Sequence, residues 1–478
     1  MFETGLRQLR MAGSLIWGRP MSPANLERLV ADALATMREF GSPGDDVGQL
    51  LEGPFADPTG RRILQDRALR RTAERAAAVT AFYGIRFREA GLDPATVDVD
   101  SIRGLPLTSK ADLTQQPDGF LATGVRPYLA TRTTGTTGRP VEVWMSRHEA
   151  ALWPALAALA GVLRGEITPG DCMQVNISSR ATAAVQHNVS VCRLAEARCV
   201  VLGVVPPDET LDSMLESGVT LLSTYPSYLA LLVLAAHRRG LSAADFALRR
   251  IDCGGEVLST AVRTAAQTTF GTAVNDTFAM TEVLPVSARS CSRGHLHHDL
   301  NAGLVEVLDP STGDPVGPGE LGSVVVTPYF PFRDCMPVLR YDTRDLVRTV
   351  ADDDLRCELA GTPGTSLILG KSDRGLAAVL DRDLIEALEA APSRPWPLRY
   401  VIESRAGHPL VHVRADQFTG MSADEVTRLL FAYGVSADVT LDDDLPNVGP
   451  GRRMVRADLM ETTFTRPTPF TRPREEAS

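Results

Sequence analysis

Thr133-Thr134-Gly135-Thr136-Thr137-Gly138-Arg139-Pro140 is the stretch from which the rest of the chain is read. It runs into Val141-Glu142-Val143-Trp144-Met145, which alternates as a strand does. Glycine at two positions frees the backbone for positive φ and for close approach to a ligand. The threonines add hydroxyls to the main-chain N–H groups, and a loop so rich in donors can wrap a phosphate chain. No Gly-Lys-Ser/Thr closes the stretch, so it is not a Walker loop. Taken alone, the same residues would also suit a polar hairpin turn.

Beyond this stretch, β and α patterns alternate. Helical spacing is expected over His148–Leu163, Leu211–Glu216, Tyr225–Arg239 (opening on Pro226) and Thr260–Phe270. Strands are expected over Cys172–Ile177, Cys199–Val205 (buried), Val219–Ser223 and Arg249–Cys253. That alternation predicts α/β layers with mostly parallel sheets, which bind ligands at the carboxyl ends of strands. Upstream, Asn25–Phe40 places Leu26, Leu29, Val30, Leu34 and Met37 on one helical side, and Gly41–Gly60 reads as a loop. Arg67–Ala90 reads as one long helix, and Thr108 or Ser109 caps the next.

Past residue 283 short strands separated by Gly/Pro turns (Gly303–Leu308, Gly322–Thr327, Val338–Tyr341, Leu346–Val350) predict a small barrel-like β unit. A further change at Gly370-Lys371-Ser372-Asp373 opens a small α+β domain with helices Leu384–Ala390 and Ser422–Tyr433. The expected division is residues 1–370, with 1–104 a helical lead-in, and 371–478, a mobile lid with a disordered tail after Thr462.

The chain has 478 residues and a formal charge of 49 − 59 = −10, without a basic tract, so a nucleic-acid partner is not expected. The N-terminus lacks a signal-peptide pattern, and no apolar stretch is long enough for a bilayer. A cytoplasmic protein is the expectation, with a homodimer left open. The 7 cysteines have no regular spacing and do not form a disulfide framework. Only Lys110 and Lys371 are lysine.

The order of motifs resembles the adenylate-forming (acyl-CoA synthetase) superfamily, in its phenylacetate–CoA ligase-like branch, from about Leu105 to Asp458. Thr133–Pro140 resembles the family's phosphate loop, with Thr134 and Arg139 as departures. Gly254-Gly255-Glu256 is similar to its adenine-side turn. Phe278-Ala279-Met280-Thr281-Glu282 resembles Y-G-x-T-E. Pro337–Asp345 is similar to the branch's M-P-L-I-R-Y-R-T-x-D, and Gly370–Asp373 to its G-R-x-D hinge, with Lys371 for Arg.

The resemblance implies ATP and Mg²⁺ as cofactors, and CoA or an amine as the acceptor. Thr133, Thr134, Gly135, Thr136, Thr137 and Gly138 would hold the outer phosphates. Gly254, Gly255, Glu256, Phe278 and Met280 would border adenine. Thr281 would bond the α-phosphate, Glu282 would hold Mg²⁺, Asp345 would accept from the ribose hydroxyls with Lys371 assisting, and Asp373 would be the hinge. It also places the organic substrate beside Tyr225, Pro226, Ser227, His187, Val283 and Leu284, whose apolar and aromatic character suits a planar aromatic acid or amine. Each has a plainer reading: Glu282 as a surface carboxylate, Asp345 as a turn cap, the glycines as a tight turn, Tyr225 and Leu284 as core, His187 as a loop histidine.

Members of the family carry a lid lysine that bridges carboxylate and α-phosphate; here the matching position is Arg452, and no lysine follows Lys371. Arginine keeps the charge but is longer, planar and bidentate. Either Arg452 inherits the task, or the enzyme adenylates something other than an ordinary acid. The branch's activities include aryl-CoA ligation, amide formation, deazaflavin adenylation and the diazotase activation of nitrite for attack by an aromatic amine, a route of secondary metabolism. A degenerate nucleotide-binding protein is the non-catalytic alternative.

Some relatives in the branch hold a structural zinc in this region. By that resemblance Cys291, His297 and Cys335 are candidate ligands, with His295, His298 or Cys253 as a fourth. Buried free cysteines are the plainer reading.

Overall fold

The structure is a computed structural model that describes residues 22–40, 57–133, 141–179, 181–351, 354–359, 362–372, 380–390, 400–403, 410–418, 420–443, 445 and 454–456. Thr134, Gly135, Thr136, Thr137, Gly138, Asp373 and Arg452 lie outside the described residues, as does the tail after Thr462.

The first helix, α1 (Pro23–Phe40), lays Leu26, Leu29, Val30 and Leu34 against Leu152, Ala155, Leu159 and Val162. The segment expected as one long helix is two, α2 (Pro58–Val79) and α3 (Ala81–Glu89). They break at Thr80, whose extended backbone (φ −119°, ψ 139°) lets its hydroxyl accept from the Tyr83 amide and cap α3. Lys110–Gln115 (α4) starts at Ser109, which forms a capping box with Asp112. A short hairpin, β1 (Pro127–Arg132) and β2 (Glu142–Ser146), flanks the threonine-glycine stretch. It leads into α5 (Arg147–Leu163), capped by Ser146 and Glu149.

The central sheet has eight strands in the order β13-β9-β8-β7-β6-β5-β3-β4. Its parallel part is β3 (Cys172–Asn176), β4 (Arg198–Val201), β5 (Leu221–Thr224), β6 (Arg250–Gly254) and β7 (Val274–Ala279). The crossover helices are α6 (Thr182–Leu194), α7 (Pro207–Ser217), α8 (Pro226–Arg238) and α9 (Thr260–Phe270). From β3 the chain moves to one side for β4 and to the other for β5. That is a topological switch point, and it opens a crevice at the carboxyl ends of β3 and β5. There the Ser178 amide donates to the Tyr225 hydroxyl at 3.1 Å, tying the two strand ends together. β4 lies at the sheet's edge with Val201 exposed, not buried as its apolar run suggests. Periodicity does not distinguish an edge strand from an inner one.

Antiparallel strands β8 (Ser287–Ser290), β9 (His295–His298) and β13 (Gly364–Ser366) extend the sheet. The expected barrel-like unit is an open antiparallel sheet of four strands, β10 (Gly303–Leu308), β11 (Leu321–Pro328), β12 (Tyr341–Arg348) and β14 (Gly370–Lys371). Two expected strands are replaced by β12 alone, because the Val338–Arg340 backbone is tied elsewhere. Leu339 N–H donates to Tyr83 Oη at 2.7 Å, and Arg340 enters with φ 48°.

The C-terminal portion has its own core, built from Leu384, Leu388, Tyr400, Val411, Val426 and Leu430. Helices α10 (Asp381–Ala390) and α11 (Ala423–Ala432) belong to it, with a sheet ordered β17-β16-β15-β18: β15 (Tyr400–Glu403), β16 (Leu410–Arg414), β17 (Asp438–Asp442) and β18 (Met454–Arg456). α10 docks on α9: Glu386 accepts from the Thr260 amide at 3.0 Å, and the Arg382 guanidinium donates to the Leu258 carbonyl at 3.0 Å. No helix among the described residues is long and apolar enough to cross a membrane.

Candidate active site

A cavity of about 1420 Å³ lies at the switch point. One end is polar. Thr133, Thr281, Glu282, Asp345, Lys371 and Lys110 face it, together with Gly254, Gly255, Glu256, Phe278 and Met280.

Glu282 sits in the turn after β7 and is only 2% exposed. Burial holds its carboxyl above the usual range, and Asp345 pushes the same way, against the pull of its own amide, Lys110 and Lys371. Two neighbouring buried carboxylates repel, and a divalent cation between them and a phosphate chain would relieve that repulsion.

Asp345 is 6% exposed and pairs with Lys371 across β12 and β14, Nζ to Oδ2 2.8 Å. The approach lacks hydrogen-bond geometry: that oxygen accepts no hydrogen bond, while Lys371 donates to the Thr343 carbonyl at 3.0 Å. A buried acceptor left open beside a cation fits a ligand hydroxyl.

The glycine pair has a steric reason. A Cβ on Gly254 would lie 2.8 Å from Thr277 Oγ1, and Gly255 has φ +82° with the Tyr225 ring 3.3 Å from its would-be Cβ. Thr277 is fixed there by donating to the Cys253 carbonyl at 2.8 Å. Glu256 lines the cavity, but its carboxylate is engaged by the Ser227 amide (2.9 Å) and hydroxyl (3.0 Å), closing the first turn of α8. Ser227 is thereby turned from the cavity. Pro226 and Val283 are packed in the core, so of the six expected substrate contacts only Tyr225, His187 and Leu284 face the space.

The other end was not foreseen as a surface. It is walled by one side of α5 (Trp153, Ala157, Ala160) and one side of α6 (Ala183, Ala184, His187). α6 escaped the sequence reading because its small and polar residues give a weak apolar stripe. Lys110 was also missed as a site residue, although being one of only two lysines was a usable signal. Deeper, Asp276 lines the cavity beneath Arg382 at 3.5 Å, and burial pushes its carboxyl up to about 6 against the pull of Arg382.

Beside the cavity, ligand atoms of Cys291, His295 and His297 lie within 4.8 Å of one another. Cys357 Sγ is 3.4 Å from His297 Nε2. The alternation of β9 explains the set: His295 and His297 share a face, while His298 points away and meets Thr365 Oγ1 at 3.2 Å. Cys335 is elsewhere, in the core with its amide donating to Glu149 at 3.1 Å, and Cys253 is buried in β6. The candidate ligands are therefore Cys291, His295, His297 and Cys357, which replaces Cys335. Two observations fit a metal: His295 Nδ1 is buried without a partner, and His297 Nδ1 donates to the Thr362 carbonyl at 2.9 Å, leaving Nε2 as the ligand atom. Two thiols with two imidazoles suit zinc.

Residues 104–333 match the family model described as AMP-binding enzyme. The phenylacetate-coenzyme A ligase of Thermus thermophilus is 26% identical over 299 residues, covering 60% of this chain and 65% of that protein. The enzyme of the same name from Escherichia coli is 24% identical over 341 residues, 70% of this chain and 74% of that one. The chain thus spans about two thirds of the length of these relatives. Among solved structures, a 2-hydroxyisobutyryl-CoA ligase in the postadenylation state superposes with a TM-score of 0.72 at 19% identity, covering 84% of this chain and 91% of that one. A benzoate CoA ligase from Burkholderia xenovorans gives a TM-score of 0.54 at 16% identity over 70% and 69%. These likenesses establish the α/β layered fold.

Proposed function

We propose that this chain is a member of the adenylate-forming superfamily, in its phenylacetate–CoA ligase-like branch, and an ATP-dependent, AMP-forming ligase for an aromatic carboxylic acid; the match of residues 104–333 and the phenylacetate-coenzyme A ligase relatives support it. The observation that carries the reading is the shared cavity: the carboxylates and lysines of a nucleotide site open onto the same space as Trp153, Tyr225 and Leu284. In the first step a carboxylate oxygen of the acid attacks the α-phosphorus and pyrophosphate leaves. In the second, CoA or an amine attacks the acyl carbon and AMP leaves.

Asp345 would take the ribose hydroxyls, Thr281 the α-phosphate and Thr133–Gly138 the outer phosphates. Glu282 would hold Mg²⁺, whose charge offsets that of the phosphate chain. Lys110 and Lys371, both acting on Glu282, add positive charge at the same end. Arg452 is assigned the lid cation's part, Asp373 the hinge between a body of residues 1–370 and a lid of 371–478. We also propose that zinc bound by Cys291, His295, His297 and Cys357 pins the β8–β9 hairpin to the 355–359 turn.

The test is a pyrophosphate-release screen over aryl acids, with and without CoA, amines and nitrite. Release with an aryl acid alone supports acid activation. Release that needs nitrite and an aryl amine would make the chain a diazotase. ATP binding without any release would make it a non-catalytic nucleotide binder.

A further inference from the structure

His187 is oddly placed for a wall residue. Its ring stacks on Trp153, centroids 3.9 Å apart and planes 27° from parallel, and both rings line the cavity. Around them the wall is apolar: Leu156, Met173, Leu284. A phenylalanine would stack as well at no polar cost, so the imidazole needs a reason.

The nitrogens supply one. Nδ1 is sealed from solvent and has no hydrogen-bond partner. Burial pushes the imidazole down to about 4, so near pH 7 it is neutral and carries a single N–H. Buried N–H groups left without any acceptor are rare in folded proteins, rarer than acceptors with a spare lone pair. The proton is assigned to Nε2, because Nδ1 is the sealed, unpartnered nitrogen and the residue lines the cavity. His187 thus offers a donor beside a flat aromatic surface, with alanines at 157, 160, 183 and 184 leaving room for a ring to slide in.

We infer that the preferred substrate is an aromatic acid bearing a neutral hydrogen-bond acceptor on its ring (a hydroxyl, ether or carbonyl oxygen), and that His187 reads that atom while Trp153 stacks on the ring. The inference rests on the ligase reading and narrows its substrate class. An unsubstituted ring leaves the donor unpaired inside the closed site. An ammonium substituent would bring its own donors against it. A site built around such a donor discriminates more strongly than apolar walls do.

The test compares matched acids, benzoate with 4-hydroxy-, 4-methoxy- and 4-acetylbenzoate, and the same set of phenylacetates, by kcat/KM for pyrophosphate release. In the unaltered protein at least one acceptor-bearing acid should exceed its bare parent by about 10-fold or more. His187→Phe should reduce that ratio to below about 3-fold, chiefly by improving the bare acid. His187→Gln, which keeps a donor, should retain part of the preference, and melting curves check that both variants fold. A ratio near one in the unaltered protein, or a preference that survives His187→Phe, overturns this inference and leaves the ligase reading standing. No release with any acid overturns the ligase reading, and this inference with it.

Discussion

At the polar end of the cavity the groups come from strands and the turns after them: Glu282 follows β7, Asp345 lies within β12, and Gly254 closes β6. At the apolar end they come from the facing sides of two helices, α5 and α6, with Trp153 on one and His187 on the other. Turn groups are fixed by local backbone geometry, so each sits in a short recognisable run. Helix-face groups are fixed by how two helices pack, so the residues that form the wall are scattered. On the proposed reading the first kind of site would set the chemistry and the second the substrate, and they should fail differently when altered.

That difference gives the largest expected effect. Glu282→Gln should lower kcat for adenylation by about 10²–10³ with the KM for the acid little changed, as expected for loss of a charge at the reacting phosphate. Asp345→Ala should instead weaken ATP binding by at least about 10-fold, measured by calorimetry. Equal and small losses at both positions would dissolve the distinction between the two ends.

Arg452→Ala should slow pyrophosphate release by at least about 10-fold. An unaltered rate would show that Lys110 and Lys371 suffice and that the lid cation's task has moved into the body of the enzyme. For the side cluster, elemental analysis should find about one zinc per chain, falling below about 0.1 in Cys357→Ser and remaining in Cys335→Ser. Loss from Cys335→Ser alone would refute the ligand set.

The smallest effect concerns Asp276. Its carboxyl, about 6 in the folded protein, lies above its ordinary 3.8. The folded state therefore binds that proton more tightly. The stability this contributes is fully present below pH 3.8 and is lost as pH rises through 6. Asp276→Asn should flatten that fall, by at most about 1.4 kcal/mol per pH unit, in denaturant melts between pH 4 and 7. An unchanged slope would mean the Arg382 contact already offsets the burial.

Much of the fold was legible because β-α alternation is a local signal; Thr260–Phe270 was placed to the residue. The splitting of Arg67–Ala90 at Thr80 was hidden, since a threonine that caps one helix while closing another looks like a helix residue in a stripe. Phe278–Glu282 and Pro337–Asp345 were visible as runs of neighbouring residues. The partnership of Cys357 with His297 joins residues 60 apart and was not. Likewise, nothing in the sequence around Ser227 reveals that Glu256 occupies it.

On the proposed reading, one cavity brings an acid and the α-phosphate of ATP together. Its most direct test is exchange of labelled pyrophosphate into ATP with the purified full chain, with each aryl acid added singly and neither CoA nor an amine present. Exchange should depend on the acid and saturate with it. Exchange that no acid raises above the ATP-only rate would contradict that reading.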